Sequence, residues 1–578
     1  MPVSVATLLQ KPFVNFLLLI VVISTIFMAS LGDRPFSAPS ESRYVEIGRE
    51  MAESGDYVTP RLNYVKYFEK PPLFYWIQAL NTKYFGMDEF TARLPTALFS
   101  LLLCLATYFL SIILYQNRLS AWLATLVLAT SIYGFALSRI VLVDVPVSLF
   151  LVATLTSFLY IIRYPDNKNR NLAIYLLYIF AAFAMLSKGL IGVAIPGAVI
   201  FLWLGLTHNW QLLKQMKLVK GTLLFLLIAA PWHIMVAARN PEFLHFYFIH
   251  EHFERYLTKE HGRYQPFWYF FAILLAGLFP WIGFAFQAAK TELNHFWKKR
   301  SENAIPLFLV IWIIFILGFF SLSDSKLPPY ILPIFPPIAA LIGHYLQTVW
   351  KNNKNYYFLT GVCITLLLLL ALAVFPPLSE EILDPTSKIM TAVSGSKDDI
   401  RVLSIIAILA IFAVIVAWLQ GEKRHIIIVL LVSAILITQA GDRIAGNYNK
   451  DSMKKLADAI HNLEKEKQEV ILYGEYYQDL PIYLQRKVSL VGWEKTELAF
   501  GVKHEFNPNW FMDDAGFWNK WLKGNKPLFT IMRNDTYQIL LKKHAGKDAE
   551  KDLHLYLITQ DGRNLLFTNR LPEPKPAK

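Results

Sequence analysis

Cysteine is nearly absent: Cys104 and Cys363 are the two in 578 residues, and both lie inside apolar runs. That excludes a disulfide framework and a thiolate metal site. No glycine-rich phosphate loop and no dinucleotide fingerprint occurs, which leaves nucleotide-driven chemistry without support. Glycine (27) and proline (30) are too few for a fibrous or low-complexity chain,. Charge is scarce as well, 17% of residues against about 25% in ordinary soluble domains. Acids are scarcer than bases, 43 against 56, giving a net charge of +13. In a soluble protein that excess would point to nucleic acid, so its location decides its meaning.

What is abundant is apolar surface: 55% of residues are hydrophobic, and the mean hydropathy is +0.38. A span of the hydrocarbon core needs roughly 17–25 apolar residues, and about thirteen runs qualify, some short or polar-edged. They cover approximately 12–31, 96–115, 120–137, 143–162, 172–187, 189–206, 221–238, 266–285, 305–322, 328–347, 357–376, 402–419 and 425–440. No small-residue cleavage site follows the first, so it is read as a retained helix. With the N-terminus cytoplasmic, the inside loops carry Arg118, Arg163, Lys168, Arg170, Lys214, Lys217, Lys220, Lys298, Lys299, Arg300, Lys423 and Arg424, and few acids. This bias follows the positive-inside rule. The +13 is therefore mostly a topology signal, and no nucleic-acid partner is expected.

The outer face receives two long connections, 32–95 and 239–265, far above the usual length of about 4–6 residues and so candidates for function. It also receives everything after about 441. Residues 1–443 are expected to form the membrane domain and 444–578 a soluble α/β domain. In the tail, a helix is expected from Ser452 and strands at Val470–Tyr473, Val488–Val491, Leu528–Met532, Gln538–Leu541, Leu553–Ile558 and Leu565–Thr568. Asp561-Gly562 reads as a hairpin turn.

Within 32–95, the spacing of Ser40, Tyr44, Ile47 and Met51 predicts an amphipathic helix at the membrane surface, with Ser40 as its cap. Next, Lys66-Tyr67-Phe68-Glu69-Lys70-Pro71-Pro72 sets Lys70 just before a helix start. Unpaired N–H groups there favour an anion, naturally a phosphate. The plainer alternative, a Glu69–Lys70 surface pair, contributes little. Arg139, Asp144, Lys188, Asp324 and Lys326 sit at span ends, where charge is costly and by default functional. Snorkelling accounts equally well for Lys188 taken alone. The segment 239–265 holds His245, His250, His252 and His261 beside Glu251 and Arg255; it lacks a zinc-protease spacing, and interfacial packing explains most of its aromatics,.

The runs RYVEIGREMAESGDYVTPRLN, KYFEKPPLFYW, SRIVLVDVP, LSKG, PWHIMVAARNPEF, HEHFERY and SKLPPYILPIFP resemble the bacterial aminoarabinose transferases that modify lipid A. These sit with the protein O-mannosyltransferases among the GT-C membrane glycosyltransferases. The likeness is close over about residues 1–350 and looser in the tail. It implies a polytopic α-helical fold with amphipathic outer helices. It also implies an undecaprenyl-phosphate sugar donor and transfer of 4-amino-4-deoxy-L-arabinose to a lipid A phosphate at the periplasmic face of the bacterial inner membrane, by a monomer. The resemblance assigns donor-phosphate binding to Tyr44, Tyr67, Lys70, Lys188, Arg255 and Tyr330, and makes Glu69 and His250 a candidate divalent-metal pair. Glu41 and Asp144 are the acidic candidates for catalysis. Where the family has Asp before Glu, this chain has Ser40, so a carboxylate suited to base catalysis is missing. A phosphate acceptor needs such a base least, because its second pKa of about 6 leaves it anionic. Transfer of another polyprenyl-linked sugar such as galactosamine or mannose, or transfer to another glycan or a protein, stays open. A lipid or solute transporter is the non-enzymatic alternative, opposed by the one-sided charges and the lack of repeated halves.

Overall fold

A computed structural model describes residues 12–36, 39–254, 264–298, 304–351, 356–382, 397–448, 452–464, 466–524, 526–544 and 553–570. Two compact units result: one comprises Met1–Leu31, Glu69–Phe74 and Arg93–Tyr448, the other Gly32–Phe68, Tyr75–Ala92 and Asn449–Lys578. The last passage between units falls at Tyr448. Two stretches of the first long connection are compact with the C-terminal residues.

The first unit is helical. Each expected apolar run is helical, because a long apolar segment in lipid has to satisfy its backbone within itself. Among the described residues, eight helices are long and apolar enough to cross a membrane alone, and two further spans arise if each of two bent pairs counts as one. Three of the expected runs appear as shorter apolar helices, Phe13–Met28, Ile191–Thr207 and Phe358–Val374. The chain is a multi-pass membrane protein. One bend, of 66°, separates Arg118–Thr130 from Ile132–Ser138. Ser131 makes it: its hydroxyl accepts from the Gly134 N–H at 3.1 Å and donates to Leu128 O at 2.8 Å. Helix Phe335–Lys351 packs directly on Arg118–Thr130, and a Cβ at Gly343 would lie 2.4 Å from the Ala124 backbone nitrogen. Small residues at such crossings let helix backbones approach.

The second unit is mixed. Strands β1 (Arg61–Leu62) and β2 (Val65–Lys66) form a hairpin, turned by Asn63 and Tyr64, both at positive φ, the geometry two-residue hairpins prefer. Helix Ser40–Ser54 packs closely on the helix after Lys70, where a Cβ at Gly48 would lie 2.5 Å from Gln78 Cβ. Six strands form one sheet: β3 (Val470–Tyr473), β4 (Ser489–Val491), β5 (Phe511–Met512), β6 (Phe529–Arg533), β7 (Tyr556–Asp561) and β8 (Asn564–Thr568). Their order is β5-β4-β3-β6-β8-β7, with β3, β4, β5 and β6 parallel and β8 and β7 antiparallel. The core joins Ile471, Val491 and Met532 of the sheet to Phe517 and Trp521 of helix Asp514–Lys523.

Three expectations are corrected here. Gln538–Leu541 is no strand but part of helix Asn534–His544, since Tyr537, Leu540 and Leu541 face the core at helical spacing. Ser40 is the first helical residue and Pro39 holds the cap position without a side-chain cap bond. Helix Ser40–Ser54 buries its polar face as well as its apolar one, Glu41, Glu46, Arg49 and Glu50 included, which a helix lying on a lipid surface would not do.

Candidate functional site

Most of the residues singled out above fall in the helical unit. Asp144 opens helix Asp144–Arg163 and Lys188 closes helix Arg170–Lys188, so each charge sits where the helix dipole favours it,. These helices pack together, and the two ends meet in an ion pair with both side chains 9% exposed. A cation so buried persists when it is paired. The Lys188 ammonium also lies 4.3 Å from the centroid of the Tyr330 ring, an arrangement that attracts a cation to the aromatic face. Tyr330 is carried by the 3₁₀ turn Pro328–Ile334. That turn is held by the Tyr133 hydroxyl, which donates to Pro328 O, and by Trp312 Nε1, which donates to Pro333 O at 3.0 Å.

Lys70 and Glu69 lie in the same unit. The Lys70 ammonium donates to Glu69 O at 2.6 Å and to the Glu251 carboxylate at 3.1 Å, and the Glu251 side chain is 2% exposed. Glu251 belongs to the π-helical turn His245–Glu254. It was visible in the sequence as one acid of an His-Glu-His-Phe-Glu-Arg run, but pairing across 181 positions leaves no local trace. The His250 side chain and Arg255 lie outside the described residues. Among the described residues, no group of three or more His, Cys, Asp or Glu is arranged to hold a metal.

Arg139, fully buried, is a further site of enclosed charge. Its Nε donates to Asp442 at 2.9 Å, and one terminal nitrogen donates to Ala29 O at 2.7 Å and Phe27 O at 3.2 Å. It thereby joins three separate stretches of chain.

Glu41, Tyr44 and Tyr67 fall in the mixed unit, and all three are buried. The Tyr44 ring is stacked with Tyr75 at 6.1 Å. Arg43 stands 6.0 Å from the Tyr67 ring centroid and pairs with Glu497. The hairpin is tied down by Arg61, bidentate on Glu505 at 2.7 and 3.1 Å, and by reciprocal bonds between Asn63 and the backbone of Val488 at 2.9 and 3.1 Å.

One turn along from Tyr44 lies a feature the sequence reading missed. Both Glu46 oxygens are taken by Arg49, at 2.7 and 2.6 Å. Glu50, 1% exposed, accepts the Tyr64 N–H at 2.8 Å with one oxygen. Its other oxygen and the Tyr476 hydroxyl have no hydrogen-bond partner among the described residues. Burial, reinforced by the neighbouring Glu46 charge, raises the Glu50 carboxyl well above the usual range. Burial likewise pushes the Tyr64 hydroxyl up to about 12. Only the i, i+4 spacing of the two glutamates was on view in the sequence.

Comparison with known proteins places this geometry. The model for dolichyl-phosphate-mannose-protein mannosyltransferases matches residues 13–247. That for the aminoarabinose transferase C-terminal domain matches residues 456–568. The undecaprenyl phosphate-alpha-4-amino-4-deoxy-L-arabinose arabinosyl transferase of Erwinia tasmaniensis is 34% identical over 322 residues, 55% of this chain and 57% of that protein. Its namesake from Aeromonas hydrophila is 33% identical over 358 residues, 60% of this chain and 64% of that protein. The matched region thus spans less than two thirds of either relative. Among solved structures, ArnT from Cupriavidus metallidurans bound to undecaprenyl phosphate superposes with a TM-score of 0.83 at 26% identity, covering 98% of this chain and all of that one.

Proposed function

Because the chain belongs to the aminoarabinose transferase family of GT-C membrane glycosyltransferases, we propose that it moves 4-amino-4-deoxy-L-arabinose from undecaprenyl phosphate to a phosphate of lipid A. The observation that carries this is the paired, buried Lys188 ammonium under the Tyr330 ring, in a unit that also buries Lys70 against Glu251. Fixed cations in a water-poor place act strongly on phosphate charge. The ArnT structure bound to undecaprenyl phosphate supports a lipid phosphate as their ligand.

The reaction is a displacement. An acceptor phosphate oxygen forms a bond to the anomeric carbon, and the bond from that carbon to the donor phosphate oxygen breaks, its electron pair leaving with undecaprenyl phosphate. A dianionic acceptor brings its own electron pair, so no proton has to be removed, which fits Ser40 at the family's Asp position. The task left to the protein is to stabilise charge on the departing phosphate. Lys70, Lys188 and Arg255 are the residues proposed to supply it, with Tyr330 over Lys188 and Asp144 holding Lys188 in place; the assignment of Tyr44 and Tyr67 to donor binding rests on the family resemblance. Glu41 is the acidic candidate for binding the sugar amine. A divalent ion, if Glu69 and His250 hold one, would add positive charge near the same phosphate.

The arginine and lysine bias of the loops supports a cytoplasmic N-terminus, a periplasmic site and residence in the inner membrane. Adding a cationic sugar to an anionic lipid lowers its attraction for cationic peptides such as polymyxin. The protein acts as a monomer.

Replacing Lys70 with Ala should lower transfer by about 100-fold, the order seen when one donor to a developing charge is removed. Mass spectrometry of lipid A and chromatography for free undecaprenyl phosphate read both halves of the reaction. Full transfer by Lys70→Ala would overturn the assignment, and an unchanged lipid A with free undecaprenyl phosphate released would move the acceptor elsewhere.

A further inference from the structure

Lys326 lies between helix Ala304–Leu322 and the 3₁₀ turn that carries Tyr330. It is 4% exposed. Its ammonium donates to Ser323 O and, at 2.8 Å, to Gln265 O. Among the described residues no carboxylate is hydrogen-bonded to it, Asp324 acting on it only through its charge, so the ammonium's hydrogen bonds all go to two neutral carbonyls, an arrangement costly enough to need a reason.

The two carbonyls belong to different segments. Gln265 ends the long connection in which Glu251 meets Lys70, and Ser323 begins the turn that leads to Tyr330. The same two segments touch as a β-bridge between Tyr264 and Ser325. Within the turn the Ser323 hydroxyl donates to Ser325 O at 3.2 Å, and the Tyr330 N–H returns to Leu327 O at 3.2 Å. From Lys326 to the Tyr330 ring there is thus a short, hydrogen-bonded path. The ring ends against Phe320, 5.2 Å away, and over the Lys188 ammonium.

We infer that Lys326 is a positioning residue that clamps residue 265 to the 323–327 turn and thereby fixes Tyr330 over Lys188. It acts on the donor phosphate through Tyr330 and not by touching it. The inference rests on the reading of Tyr330 and Lys188 as donor-phosphate residues. A methylene chain without the ammonium would leave both carbonyls short of a donor and free the turn to shift, and displacements of about 1 Å at such a remove alter binding geometry markedly.

The test measures undecaprenyl phosphate binding to the purified full-length protein, alongside thermal unfolding, for four changes. Lys326→Met should weaken binding about tenfold, and Lys326→Arg, which keeps charge and donors, should restore most of it. Tyr330→Ala should weaken binding on its own, and adding Lys326→Met to it should change nothing more, a coupling that general destabilisation would not produce. If the Met protein does not fold, Lys326→Gln is compared in the same two backgrounds. Unchanged binding by a folded Lys326 variant overturns the positioning role alone, as does an undiminished Lys326 effect in the Tyr330→Ala background. A wild-type protein that binds no undecaprenyl phosphate overturns the donor reading and this inference together.

Discussion

The helical unit and the mixed unit keep buried charge in different ways. In the helical unit three enclosed cations meet opposite charges, Lys188 with Asp144, Arg139 with Asp442 and Lys70 with Glu251, while Lys326 is held by the carbonyls of Ser323 and Gln265. In the mixed unit one helix face buries three glutamates, Glu41, Glu46 and Glu50, with Arg49 bonded to Glu46 and to Glu53. Burial and the neighbouring Glu46 charge raise the Glu50 carboxyl, which therefore holds its proton more tightly than a free one. Lipid supplies no water to solvate a charge, so the membrane part tolerates charges in neutral pairs. Where an aqueous surface is close, a proton can do what a counter-ion does elsewhere. Sensitivity to lost partners should therefore concentrate in the first unit, and sensitivity to pH in the second.

The largest effect should come from breaking a pair in the helical unit. Arg139→Met breaks the buried pair with Asp442 and should destabilise the protein by about 3–5 kcal/mol, read as a lower unfolding temperature in detergent. Adding Asp442→Leu should recover most of that loss. If the double variant is as unstable as the single one, the pairing account of this unit is wrong.

A middle-sized effect is expected from Arg49→Met. Glu46 then loses both its bonds, but a carboxyl near other acids can take up a proton, so the loss should be about 1–3 kcal/mol. Hydrogen exchange over residues 40–64 would show it as faster opening, less marked at pH 5 than at pH 8. An equal effect at both pH values would remove the distinction between the units.

Glu50→Gln should give the smallest change, and its sign is definite. The folded carboxyl holds its proton more tightly than the unfolded one, whose pKa is about 4.3. Its contribution is complete below that value and declines as pH rises through the folded pKa. Gln cannot ionise, so protection of residues 40–64 in the variant should stay level where the wild type's falls. A parallel decline in both proteins would place the titrating group elsewhere.

Most of the membrane architecture was legible because a run of apolar residues has one use at that length. Its limits came from geometry: nothing in 118–138 separates one straight helix from the two bent pieces that Ser131 divides. The tail was legible where aliphatic runs were short and flanked by turns, as at Val470–Tyr473. It failed at Gln538–Leu541, where three consecutive aliphatic residues fit either period. Among the site residues, Asp144 and Lys188 were visible as misplaced charges, but their bond, like that of Lys70 to Glu251, depends on chain segments far apart in sequence. The buried acid face of Ser40–Ser54 was hidden for a different reason. Its charges look solvated until the hairpin and helix Asp479–Leu484 cover them.

The bend at Ser131 also has a bearing on membrane thickness. Helix Arg118–Thr130 has 13 residues and rises about 20 Å, some 10 Å short of the hydrocarbon core. Straight continuation would have exposed an apolar end to lipid. Instead the Ile132 N–H turns to Phe279 O at 3.1 Å, and Trp281 Nε1 reaches the Thr130 hydroxyl at 3.1 Å. The chain therefore changes direction by 66° where its backbone is roofed by protein,, and the residues beyond it, Tyr133 and Arg139, leave along that second direction. The bend at Ser131 is thus what sets the direction from which Tyr133 reaches Pro328 O and Arg139 reaches Asp442.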